Sequence, residues 1–247
     1  YQYSRGYGTA PLSRAFASAS SQFLSYGAAI LSYPSTISVW FNVATLGTYY
    51  LVCSGNSTTN ADYFAINIDG SGFVRLSASV TGTGAAADAI TTTTFTTNTW
   101  NHAIGVLASA TNRFALLNGG GISNVSINNT TPAGLDLFAV GVLNRLSPTG
   151  YTDGLIADVA IWNVALSATE YGLLDTIVEF NGVLGYTPPF VVRPDALVGY
   201  WPLFGNGSPE LDQSGNVRNL VLNNAPTKGA SKPSIVYPPN LSWASGS

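Results

Sequence analysis

Between Tyr63 and Val80 the chain reads as two short runs split by Asp69-Gly70-Ser71-Gly72. In the first run Phe64, Ile66 and Ile68 fall on one side. A strand with one buried face has that period of two. The Asp-Gly-Ser-Gly break suits a tight turn, so the pair is expected to form a hairpin. The pattern recurs at 36–43, where Ile37, Val39 and Phe41 share a face. Further strand candidates are 20–26, 49–54, 100–107, 113–117, 122–127, 135–142, 155–162 and 197–203. Many short strands with turns at near-regular spacing point to an all-β, two-sheet antiparallel sandwich.

Composition agrees. Only 9% of the 247 residues are charged, against about a quarter in ordinary soluble domains. Lysine stands only at 228 and 232, glutamate only at 170, 179 and 210. Helical surfaces are usually covered with these two residues, so a mainly helical fold is excluded. The net charge is −3 and the basic residues are scattered singly, which leaves no electrostatic footprint for nucleic acid or an anionic membrane. No run of 18 apolar residues is long enough to span a bilayer as a helix. A single cysteine, Cys53, and a single histidine, His102, exclude an internal disulfide and multi-Cys or multi-His metal sites. The chain begins at Tyr1 and contains no methionine, as in a processed product or an incompletely read sequence.

Residues 81–99 are polar and of low complexity, and are expected to be a loop. Ser167-Ala168-Thr169-Glu170 is a capping box, so one short helix is expected from Ala168 to Leu174, with room to extend to Phe180. Pro188, Pro189 and Pro194 mark a surface connection, and the prolines after Lys228 an extended tail.

Several segments resemble one family. Trp100-Asn101-His102-Ala103-Ile104-Gly105-Val106 resembles the "W-x-H-v-a-x-v" strand of laminin-G-like, concanavalin A-like jelly rolls. Arg113–Gly119 resembles the "L-Y-V-N-G" strand and turn that follows. Gly154–Asn163 with Leu166, Ser167 and Glu170 resembles "G-x-I-D-D-V-x-I-W-N-x-x-L-S-x-x-E", a motif shared with pentraxins. Leu197–Leu203 with Asp212–Asn216 resembles "Y-W-P-f…D-x-S-G-N", an element that precedes the opening strand in many bacterial relatives but here follows the domain. The resemblance implies a laminin-G-like jelly roll over 1–190, a strand element over 191–227 that completes it, and an extended tail over 228–247. It also implies a tailed-phage setting.

No catalytic site is expected. Glucanases on this fold need clustered carboxylates on one strand, and no two glutamates here lie within eight residues of each other. No nucleophile elbow occurs, and His102 is expected to be structural. No cofactor is expected. Where the family binds calcium, this chain has Gln22, Ala157 and an acid-free 141–152 loop. Asp153 and Asp158 remain as metal-ligand candidates, while Asp69 reads as a turn residue. Trp40, Trp100 and Trp162 are expected in the core; Tyr49, Tyr50, Tyr63 and Tyr151 are left open for a sugar platform. Tyr237, Leu241 and Trp243 are expected to contact a partner chain.

The leading expectation is a non-enzymatic virion surface subunit that packs against its own copies and other virion proteins, with cell-surface glycans as further partners. The alternative is a secreted bacterial carbohydrate-binding module. Either places the chain outside cells.

Overall fold

The computed structural model describes residues 12–80, 87–125, 129–180, 183–205, 207–230 and 232. The first strands are β1 (Arg14–Phe16), β2 (Phe23–Tyr26), β3 (Ser35–Asn42), β4 (Tyr49–Gly55), β5 (Tyr63–Ile68) and β6 (Phe73–Ser79). Next come β7 (Ala87–Thr94), β8 (Asn101–Ser109), β9 (Asn112–Leu117), β10 (Gly120–Val125), β11 (Leu137–Val140) and β12 (Gly154–Trp162). After helix α1 (Ala168–Leu174) follow β13 (Ile177–Phe180), β14 (Val183–Tyr186), β15 (Leu197–Trp201), β16 (Val221–Asn223) and β17 (Thr227–Lys228).

These strands form two antiparallel sheets. The first runs β10-β9-β8-β3-β12-β1-β17, with β15 also paired to β12. The second runs β16-β2-β11-β4-β5-β6-β7. The alternating residues meet between them: Ile37, Val39 and Phe41 from β3 pack with Phe64, Ile66 and Ile68 from β5. Burial of such side chains contributes roughly 1.5–3 kcal/mol each.

Three expectations are corrected. The 81–99 segment is not all loop, because 87–94 pairs as β7 along β6 from Ala78↔Ala87 to Phe73↔Thr94. Its inward residues include Ala89 and Thr91, so the apolar alternation that betrays a strand is missing. The β-branched threonines nonetheless suit a pleated edge. The helix does not reach Phe180. It opens with both halves of the Ser167–Glu170 capping box and stops at Leu174. Beyond Asp175 the β-branched Thr176, Ile177 and Val178 are poor helix formers, and 177–180 pairs instead with β14. The proline-rich connection is also less superficial than its sequence suggests, since Pro189, Phe190 and Val192 are buried.

Strand β12 changes partners along its length. Gly154–Ile156 pairs with β1, and Val159–Trp162 with β15. Between the two stands Asp158, at φ 47°, in an irregularity of the β12–β3 register. β15, β16 and β17 thus enter both sheets of one sandwich: Leu222 pairs with Leu24, and Thr227 with Ala15. Trp201 sits in the central core, stacked on Phe138 at 5.2 Å. Two buried ion pairs fasten this closing segment. Arg14 donates through Nε to Glu210 at 2.8 Å, and Lys232 Nζ to Asp158 at 2.5 Å.

Candidate functional site

The sequence candidates separate in space. Asp153 lies at the surface, where its Oδ1 accepts from the Ser18 backbone N–H at 3.4 Å. Asp158 is buried, and both of its oxygens are taken, one by the Tyr200 hydroxyl at 3.0 Å and one by Lys232. Burial pushes the Asp158 carboxyl up and the Lys232 ammonium down, and each partner opposes the other's shift. Among the described residues no three His, Cys, Asp or Glu side chains gather as a metal ion would require. Asp69 caps its turn, accepting from the Ser71 and Phe73 N–H groups. Tyr237, Leu241 and Trp243 lie outside the described residues. Trp40 and Trp162 are buried on the outer side of the first sheet, but Trp100 is only half-buried, just before β8.

His102 holds an arrangement that sequence spacing could not show. Its Nε2 is 2.7 Å from Ser38 Oγ and its Nδ1 is 2.7 Å from Asp175 Oδ1. Those contacts follow the order of a nucleophile–base–acid relay. A nucleophile must meet its substrate, however, and Ser38 and His102 are 2% and 1% exposed. Trp40 stacks on the imidazole at 4.6 Å, and Tyr186 lies against Trp40 at 4.5 Å. The relay is a buried polar network tying β3 and β8 to the C-cap of α1, with its donors and acceptors satisfied.

The second sheet presents a different outer face. Opposite its core residues stand Tyr63, Ala65 and Asn67 on β5, and Arg75 and Ser77 on β6. Cys53 occupies the middle of β4 and is covered by the 141–152 loop: its thiol donates to Val142 O and accepts from Asn144 N, both at 3.2 Å. Burial pushes that thiol up to about 12, so it stays a neutral packing group at physiological pH. At the margin of the loop the rings of Tyr50 and Tyr63 meet edge-on, 6.5 Å apart. The Arg145 guanidinium lies over the Tyr63 ring at 5.7 Å and donates to Asn60 O. Arg75 bridges Asp69 at 2.7 Å and Asp88 at 3.1 Å.

Polar capacity is left over here. Arg145 Nε and Asp88 Oδ1 are buried without a hydrogen-bond partner. Both groups act on the Tyr50 hydroxyl. Burial, then Tyr63, hold that phenol well above the ordinary range; Asp88 adds to the shift and Arg145 opposes it. Tyr50, Tyr63, Arg75, Asp88 and Arg145 therefore converge on one patch. Tyr50 and Tyr63 were visible in the sequence as unassigned aromatics. The other three were not singled out, although outward positions on β6 and β7 are those that alternate with the core residues.

The family model described as the concanavalin A-like lectin/glucanase superfamily matches residues 18–170. The chain belongs to that superfamily. Within it, the fold is similar to a Bacteroides ovatus protein provisionally designated carbohydrate-binding (15% identity, TM-score 0.59, 93% of this chain and 62% of that one). It is also similar to the heptameric SAP-like pentraxin of Limulus polyphemus (13%, 0.56, 92% and 98%). A third similar structure is the Ruminococcus gnavus IT-sialidase CBM40 bound to α2,3-sialyllactose (16%, 0.53, 59% and 84%). At these identities the likeness establishes the superfamily's lectin-like fold. No curated protein matches the sequence. Among the described residues no helix is long and apolar enough to cross a membrane.

Proposed function

We propose that this chain is a non-catalytic glycan-binding module that acts outside cells through the outer face of its second sheet. The observation that carries the reading is the convergence of the half-buried Tyr50, Arg75, Asp88 and Arg145 around the buried Tyr63 ring. Sugars are held by that combination: ring faces take the C–H surface, and planar polar side chains take the hydroxyls. Similar folds named for carbohydrate binding support the reading. The test is a glycan array followed by titration calorimetry of the hits. A hit that is lost in Arg145→Ala and Tyr50→Ala, with folding unchanged, supports it. An array blank across neutral and acidic glycans contradicts it.

The setting we propose for this module is a virion surface, where it serves as a structural subunit. The Tyr200-Trp201-Pro202-Leu203 element after the domain and the 9% charge content, which suits packing against neighbours, favour that setting. Mass spectrometry of purified particles tests it: the chain should be a stoichiometric component.

A further inference from the structure

Lys232 and Asp158 meet apart from the proposed binding patch. Lys232 Nζ donates to Asp158 Oδ2 at 2.5 Å, and each side chain is 1% exposed. The Tyr200 hydroxyl donates to Asp158 Oδ1 at 3.0 Å, and Lys232 Nζ also donates to Pro202 O at 3.3 Å. The Phe204 ring, centred 4.9 Å from Nζ, adds an apolar wall. Asp158 is held at φ 47° in the irregular stretch of β12.

Ions are costly in such a place, because both charges leave water. Burial pushes the Asp158 carboxyl up and the Lys232 ammonium down, each toward its neutral form. A proton passed from Nζ to Oδ2 along their hydrogen bond leaves an amine facing a carboxylic acid, the two reactants of an amide. An amine 2.5 Å from one carboxyl oxygen stands at most one bond length further from its carbon, close to the roughly 3–3.5 Å of a near-attack arrangement. Well-oriented neighbours of this kind reach effective concentrations on the order of 10⁵ M or more.

We propose that Lys232 and Asp158 condense to an intramolecular amide once the chain has folded. Nζ attacks Asp158 Cγ, and the Tyr200 hydroxyl steadies the charge that develops on Oδ1. One N–H proton passes to Oδ2, the Cγ–Oδ2 bond breaks, and Oδ2 leaves as water. The N–H that remains points to Pro202 O and becomes the amide N–H. Nothing is oxidised or reduced, and no co-reactant is needed. The product is neutral, which removes the cost of burying two ions. A chain with a single cysteine, and so no internal disulfide, gains in this way a covalent fastener between its closing segment and β12. Joining residues 74 apart restricts the unfolded chain as a long-loop disulfide does.

Intact-mass spectrometry of the full chain tests this. The folded chain should fall short of its sequence mass by one water, and the deficit should persist in denaturant. Peptide mapping should give one branched peptide that joins Lys232 to Asp158. Chain purified unfolded should have the full mass and lose water only on refolding. Freshly refolded chain is the ion-paired form, and its melting temperature should rise as water is lost. Lys232→Arg keeps the cation but has no amine to acylate, and should hold the full mass. Tyr200→Phe should slow the loss of water at least tenfold. Should either variant fail to fold, the wild-type mass and peptide map decide alone. A wild type that folds and keeps its full mass overturns the proposal. So does a loss of water that survives Lys232→Arg, or one that maps elsewhere, as to a succinimide at Asp69-Gly70 or Asp153-Gly154.

Discussion

The two outer faces of this sandwich have opposite fates. On the first sheet, Ile104, Val106, Leu116, Ala160 and Trp162 are covered by residues of α1 and of the 189–197 connection. Even its polar group, the Ser38–His102–Asp175 network, is closed over. On the second sheet the 141–152 loop covers Cys53 and the Tyr63 and Ala65 side chains of β5, and leaves Tyr50, Arg75 and its own Arg145 half-buried at its margin. The fold needs only one buried interface between its sheets. What each outer face becomes is decided by what the chain lays over it, and the face left partly accessible is the one proposed for recognition.

The sharpest break in that contrast is at Trp162. It is fully buried on the covered face, and its indole N–H donates to Val192 O at 2.6 Å. Trp162→Ala should cost about 3–5 kcal/mol in chemical denaturation. Arg145→Ala on the open face should stay within about 1 kcal/mol. Equal losses at the two positions would erase the distinction.

Next comes the pair that fastens the closing segment. Lys232→Met leaves the Asp158 carboxylate buried without its cation, and should cost roughly 3 kcal/mol. Asp158→Asn added to it should recover most of that loss, because it removes the stranded charge and asparagine tolerates the positive φ at 158. If the double variant is no more stable than Lys232→Met, the penalty does not come from the stranded charge.

The smallest effect is a pH dependence at the turn beside the open face. Burial would raise the Asp69 carboxyl, but the Phe73 N–H, Arg75 and the Ser71 N–H outweigh it and hold it below the usual range. The folded pKa lies under the unfolded one, so the stabilisation is present above the unfolded value of about 4 and fades as pH falls through the folded value. The melting-temperature gap between wild type and Asp69→Asn should therefore narrow as pH drops below about 4. A gap that widens on acidification reverses the sign.

Much of the frame was legible in the residues. Alternation at 36–43 and 63–80 marked which side chains meet between the sheets, and Ser167–Glu170 marked the helix start. Strand β7 escaped because its inward residues include Ala89 and Thr91, which carry no apolar signature. Asp158 could be noticed, but its cation stands 74 residues away, so its role as one half of a buried pair required the fold. The proposed binding patch was half legible: its tyrosines stood out by type, while Arg145, Arg75 and Asp88 come together only through strand register and one loop.

Sugar binding by the outer face of the second sheet is the proposal on which the contrast between the faces turns. Its most direct test is titration of the array's strongest glycan into wild type, Arg145→Ala and Ser38→Ala. Binding should fall at least tenfold in Arg145→Ala and be unchanged in Ser38→Ala, which alters only the covered face. Binding lost in Ser38→Ala but kept in Arg145→Ala, with both proteins folded, would place recognition on the wrong sheet and contradict the account.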